Sequence, residues 1–86
     1  MKDYLKEQLN KLEALERRAD RAEQDYINNP MDEAKEHLFD KWYEREYNQY
    51  ILLSEAIVNF TNGEIDFNTA KKMVKSERTK LRQILA

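Results

Sequence analysis

One glycine and one proline in 86 residues leave this chain almost none of the turn residues that strands and hairpins need at short intervals. An all-α fold follows, and those two residues become its punctuation. Asn29-Pro30-Met31-Asp32-Glu33 reads as a helix start. Asn29 takes the N-cap, Pro30 the first helical position where a missing N–H costs nothing, and two acids face the helix dipole. Thr61-Asn62-Gly63 reads as a helix end, because glycine adopts the left-handed conformation that closes one. Asp66 then offers an N-cap for a last helix whose first apolar residue is Phe67. The expectation is one domain, residues 1–86, of three helices near 3–28, 30–61 and 66–85. The two long helices form an antiparallel hairpin because a short connection turns the chain straight back. With the shorter third helix they make a coiled-coil-like three-helix bundle.

The apolar spacing fills in this outline. In the first helix Leu5, Leu12, Ala19 and Tyr26 recur every seven residues, Leu15 and Ala22 take the complementary positions, and Leu9 lies on the flank. The two alanines bury little area but let a neighbour approach closely. In the second helix Met31, Leu38, Trp42, Leu53, Ala56 and Phe60 fall on one stripe, with Phe39, Tyr50 and Ile57 at its edge. Tyr43, Tyr47, Ile51 and Val58 continue round from that edge, so apolar residues cover roughly 220° of the circumference, more than a single buried face requires. This helix therefore touches two neighbours. The third carries Ala70, Val74, Leu81 and Leu85 on its stripe, with Met73 and Ile84 on one edge and Phe67 near the other. At 1.5 Å per residue it reaches roughly 28 Å, against about 40 Å for the hairpin. It leaves the turn end uncovered, where Tyr26, Ile27, Leu38, Phe39, Trp42 and Tyr43 gather.

Trp and Tyr bury large rigid areas and keep a polar tip, which is why interface hot spots are rich in them. Tyr26, Leu38, Phe39, Trp42, Tyr43 and, one turn on, Tyr47 are the expected surface for a protein partner or for a second copy in a homodimer. The composition leans the same way. Leu, Ile, Val and Phe make up about 22% of the chain, close to the level below which chains fail to build a core, so association would stabilise a thin one. Within the helix 2 stripe Glu46 and Gln49 are polar. Each costs a kilocalorie or more if buried unpaired, on the order given for lost hydrogen bonds, so they pair across an interface, where they can set a dimer's register, or they meet solvent.

Charge is divided along the chain. Residues 1–65 hold nine Lys or Arg and fifteen Asp or Glu, whereas residues 66–86 hold six and two. Lys71, Lys75, Arg78 and Arg82 form one basic stripe beside the apolar one. There they flank the seam and pair with acids of the other helices, as the flanking positions of coiled coils do. The alternative is a nucleic-acid-binding regulator gripping phosphates through the same four residues. An acidic pI near 5.4 and the lack of a helix-turn-helix spacing weigh against it.

Catalysis has little to stand on. There is no Cys, hence no disulfide, thiolate nucleophile or zinc-thiolate site, and no glycine-rich phosphate loop. The single His37 shares a face with Glu33, Asp40 and Glu44, but dedicated metal spacings are missing, so a solvated charged face is expected. Arg17, Arg18 and Arg21 lie off the main seam. No catalytic residue, metal, cofactor or small-molecule substrate is assigned. The longest apolar run is Ile51-Leu52-Leu53, far short of a membrane span. MKDYLKEQLN places charges where a signal peptide is apolar, so the expectation is a complete small cytoplasmic reading frame. In size and texture, with abundant Lys and Asn, the chain resembles the small accessory proteins of phages and mobile elements in low-GC bacteria. That resemblance implies a non-enzymatic helical module that modulates a host or viral protein, and it carries no residue role with it.

Overall fold

The computed structural model describes residues 1–86 as four helices without a strand: α1 (Lys2–Asn28), α2 (Glu33–Phe60), α3 (Phe67–Ser76) and α4 (Arg78–Leu85). Contacts of Gln8 with Gln49, Arg18 with Trp42 and Tyr26 with Phe39 run in opposite chain directions, so α1 and α2 lie antiparallel. No helix is long and apolar enough to cross a membrane.

The turn between them differs from the sequence expectation. Asp32, not Asn29, is the N-cap of α2. Its Oδ1 accepts from the Ala34 N–H at 3.0 Å and the Lys35 N–H at 3.3 Å, and its charge adds a dipole interaction that an amide lacks. Asn29 instead closes α1, its N–H bonding the Tyr26 carbonyl and its Nδ2 donating to the Asp25 carbonyl at 3.1 Å. Pro30 and Met31 therefore lie outside the helix, and Met31, expected on the apolar stripe, is 92% exposed.

The second turn follows its residues. Asn62 and Gly63 take φ of 53° and 82°, and the Gly63 N–H bonds the Val58 carbonyl at 2.9 Å, the reversal that a left-handed residue permits at a helix end. Thr61 Oγ1 donates to the Ile57 carbonyl at 3.1 Å and accepts from the Ile65 N–H at 3.2 Å. Asp66 then accepts the Thr69 N–H at 2.7 Å and starts α3.

The third helix, expected whole over 66–85, is broken at Glu77. At 100° per residue a continuous helix carries Glu77 between the stripe made by Ala70, Val74, Leu81 and Leu85 and the apolar edge made by Met73 and Ile84. Keeping the stripe in the core would bury an unpaired carboxylate, which costs far more than one helical hydrogen bond. The backbone leaves the helix there, with φ −128° and ψ 45°. Arg78 Nε donates to the Val74 carbonyl at 2.7 Å, so a side chain satisfies the end of α3. The two segments then diverge. α3 packs on α2, where Tyr50 donates its hydroxyl to the Lys71 carbonyl at 3.1 Å. α4 packs on α1, with Arg78 at Glu16 and Arg82 at Glu13 and Asn10, so it runs back toward the N-terminus of α1.

One core results, made of Leu5, Leu9 and Leu12 from α1, Leu53 and Ile57 from α2, Ala70, Met73 and Val74 from α3, and Leu81 and Leu85 from α4. Leu9, read as a flank, is fully buried, while Ile84 is exposed. Gln49 does not wait for a second chain: its Nε2 donates to Gln8 Oε1 at 2.8 Å and to the Gln8 carbonyl at 3.1 Å. The amide pairing sets the register of α1 against α2 within one molecule. All of this lies toward one end of a body 47 Å long and about 20 Å wide. With ten residues α3 spans only about 15 Å, so the arm stops well short of the reach expected of an unbroken helix. Beyond it α1 and α2 meet only each other, around the buried Ala19 and Ala22.

Candidate functional site

The structure divides the six aromatic and apolar residues expected to form one surface. Tyr26 stacks on Phe39 (centroids 6.1 Å, 19° between planes), and Phe39 meets Tyr43 edge-on at 6.0 Å. Tyr47 tilts against Tyr50 at 6.2 Å. Trp42 stands apart, with Arg18 of α1 at 4.9 Å, Arg45 at 5.0 Å and Lys41 at 5.6 Å from its ring. Tyr26, Phe39 and Trp42 are half-buried and hold the two-helix end together across the gap that small Ala19 and Ala22 permit. Exposed are Leu38 (44%), Tyr43 (58%) and Tyr47 (53%).

Tyr43, Tyr47, Tyr50 and Ser54 share one face of α2 at helical spacing. Its lower part is covered: Ser54 is buried, and Tyr50 is half-buried with its hydroxyl on α3. Burial, with Tyr47 beside it, pushes the Tyr50 phenol above its ordinary value. Where α3 ends, the same face continues uncovered through Tyr47 and Tyr43. At that step lies a cleft of about 320 Å³, lined by Leu12 and Glu16 on α1, Tyr43, Glu46, Tyr47 and Tyr50 on α2, and Lys75 and Arg78 at the end of the arm.

Charge gives the cleft its character. Arg78 grips Glu16 with both prongs of its guanidinium, Nη2 to Oε2 at 2.6 Å and Nη1 to Oε1, and Glu13 lies 3.9 Å away. This is the bidentate geometry that makes such pairs strong. The hydrogen bond to Glu16 raises the Arg78 pKa against the opposing effect of burial. Glu46, half-buried opposite, has its carboxyl pushed up by burial first and then by Glu16 and Asp20, with Glu23 adding to them and Arg78 opposing. Arg82 binds Glu13 and reaches Asn10 Oδ1 at 3.3 Å. Of the basic stripe, two members thus point onto α1. Lys71 rests over the Phe67 ring at 5.1 Å, and Lys75 is exposed at the cleft rim without an acid partner.

Glu16 was not among the residues singled out from the sequence. Its signal was present, since Glu13 and Glu16 flank the Leu9 and Leu12 stripe as Arg78 and Arg82 flank that of Leu81 and Leu85. Pairing these flanks requires knowing that α4 reverses. His37 is exposed, and no group of three or more His, Cys, Asp or Glu side chains comes together to hold a metal ion. Comparison with family models, curated proteins and solved structures finds no match to this chain.

Proposed function

We propose that this chain is a non-enzymatic helical interaction module of the coiled-coil-like three-helix type, with α3 and α4 together forming a broken third arm. Its working surface is the groove above the end of α3. One observation carries the reading: the α2 face that α3 covers at Tyr50 continues uncovered at Tyr47 and Tyr43, two tyrosines each more than half exposed. A helix-shaped slot that is filled at one end and open at the other is the form that helix-in-groove recognition uses. Such a module acts by masking or bridging a partner surface, as a small accessory protein would, or by pairing with its own copy. Leu38 adds exposed apolar area on another side of the same end.

The nucleic-acid reading has weaker support, because Arg78 and Arg82 are engaged with Glu16 and Glu13 and leave Lys71 and Lys75 to meet phosphates. Salt-dependent binding to DNA or RNA at low ionic strength would restore it. The test of the main reading is the double variant Tyr43→Ser, Tyr47→Ser. Helicity and thermal midpoint stay at or above those of the parent, while molar mass by light scattering falls from dimer to monomer or partner binding is lost. Unfolding of the variant would place these tyrosines in the core and remove the interface.

A further inference from the structure

We infer that the occupant of the open groove is a basic amphipathic helix from another protein, lying as a continuation of the chain's own C-terminal arm. This rests on the reading of the groove as an interface and names the chemistry of what enters it. Glu13, Glu16, Asp20 and Glu23 stand at i, i+3, i+7 and i+10 on α1, a single row along the groove. The lower half of the row is already used by a basic helix: Arg82 takes Glu13 and Arg78 takes Glu16. The upper half, Asp20 and Glu23, is exposed and makes no ion pair. Next to it, at the height of Glu16, stand Tyr43 and Tyr47, offering apolar area with polar tips, and Glu46 lies within reach of both Glu16 and Asp20 as a further acid.

The molecule therefore carries its own example of what fits. α4 sets Leu81 and Leu85 into the core and its arginines on the acidic row, and the same combination extended upward would meet tyrosines and the next two acids. Length agrees, because α1 continues for twelve residues beyond Glu16, about 18 Å or three helical turns. Charge also selects against a second copy seated groove to groove. Residues 1–65 carry a net charge of −6, and a self-pairing would oppose Asp20, Glu23 and Glu46 to themselves. A cationic partner gains there, and its encounter rate rises at low salt.

The test uses the full chain and a synthetic helical peptide of about 18 residues, long enough to order on binding. The peptide carries Leu at i, i+4 and i+7 with flanking Arg, and its twin has Glu in place of Arg. Fluorescence anisotropy at low and physiological salt is expected to show binding of the Arg peptide, weakened by salt and at least about tenfold tighter than the twin. The reversal Asp20→Lys, Glu23→Lys, at exposed positions where circular dichroism verifies retained helicity, is expected to weaken it about tenfold or more. Equal binding of both peptides, lost with Tyr43→Ser, Tyr47→Ser, would overturn the basic partner and leave the interface standing. So would a dimer that the tyrosine variant dissociates while neither peptide binds. Binding of the Arg peptide that ignores both double variants would mean that it displaces the native arm, and this overturns the inference. Failure of both peptides, with a monomer unaffected by the tyrosine variant, would overturn the interface as well.

Discussion

Replacing Arg78 by Ala removes the one side chain that ties the helix break to α1. In the structure it makes two charge-assisted hydrogen bonds to Glu16 and one from Nε to the Val74 carbonyl at 2.7 Å. Both partners of the ion pair are about three-quarters covered, the side chains being 26% and 28% exposed. An exposed pair is worth about 0–1 kcal/mol, and breaking a buried one costs about 3–5 kcal/mol. A pair with this coverage lies between, and the freed Val74 carbonyl adds the loss of one further bond, so about 2–3 kcal/mol is expected. For a domain of this size that lowers the thermal midpoint by about 10–20 °C. Urea unfolding followed by circular dichroism measures it, with the m-value verifying that the native state stays compact. A cycle with Glu16→Gln separates the pair from the packing of the arginine stem, and a coupling of about 1–2 kcal/mol is expected. A loss below about 0.5 kcal/mol, the level of an ordinary surface change, would refute the reasoning, because the break would then be held by packing of Val74 and Leu81 alone.

Three further expectations follow from named contacts. Glu46 has a folded-state pKa above its ordinary value of 4.5, from burial and from Glu16, Asp20 and Glu23, with Arg78 opposing, so the folded form is penalised as pH rises through that pKa. Glu46→Gln is expected to raise the thermal midpoint at neutral pH, with the advantage gone below pH 4.5; a variant less stable at neutral pH would contradict this. Asp66 has its pKa lowered by the Thr69 N–H, so its capping stabilises above the unfolded-state value and is lost as pH falls through the folded one. Asp66→Ala should lower the midpoint at neutral pH and converge with the parent in acid, and a gap independent of pH would refute the charge contribution. Gln49→Leu removes both bonds to Gln8 but gains apolar burial, so stability should change by less than about 1.5 kcal/mol. The register of α1 on α2 should loosen, seen as faster amide exchange near Gln8 and Gln49, and unchanged exchange would deny the pair its registering role.

How much of this was legible beforehand depends on how far apart the determining residues lie. Gly63 and Asp66 act on their own backbone within a few residues, and both turned where their chemistry required. The competition between Asn29 and Asp32 for the cap of α2 was also local, but two acceptable caps stood three residues apart, and the carboxylate's extra charge decided it. Glu77 was a sign available in the sequence: a carboxylate between an apolar stripe and its Met73 and Ile84 edge opposes an unbroken helix that buries both. The aromatic end shows the opposite case. Spacing placed Trp42 and Tyr43 side by side as one candidate surface, yet one leans on Arg18 and the other stands exposed beside a groove, because adjacent residues on a helix point about 100° apart.

By itself, the sequence determined that the chain is helical, where two of its three connections fall, and that Leu5 and Leu12 of α1 and Ala70, Val74, Leu81 and Leu85 of the C-terminal arm enter the core. Those follow from turn chemistry and from a period of 3.6 residues, which act over short separations. Only the tertiary structure decided that Arg78 meets Glu16, 62 residues away in the chain, that Gln49 answers Gln8, and that the arm ends where Tyr47 and Tyr43 begin to be exposed. These depend on the direction in which α4 leaves the break, and that direction is chosen jointly by the entry of Leu81 and Leu85 into the core that α1 shares and by the acids of α1 that meet Arg78 and Arg82. No single helix carries that information, since an amphipathic pattern states which face is buried but not against which neighbour, or at what height.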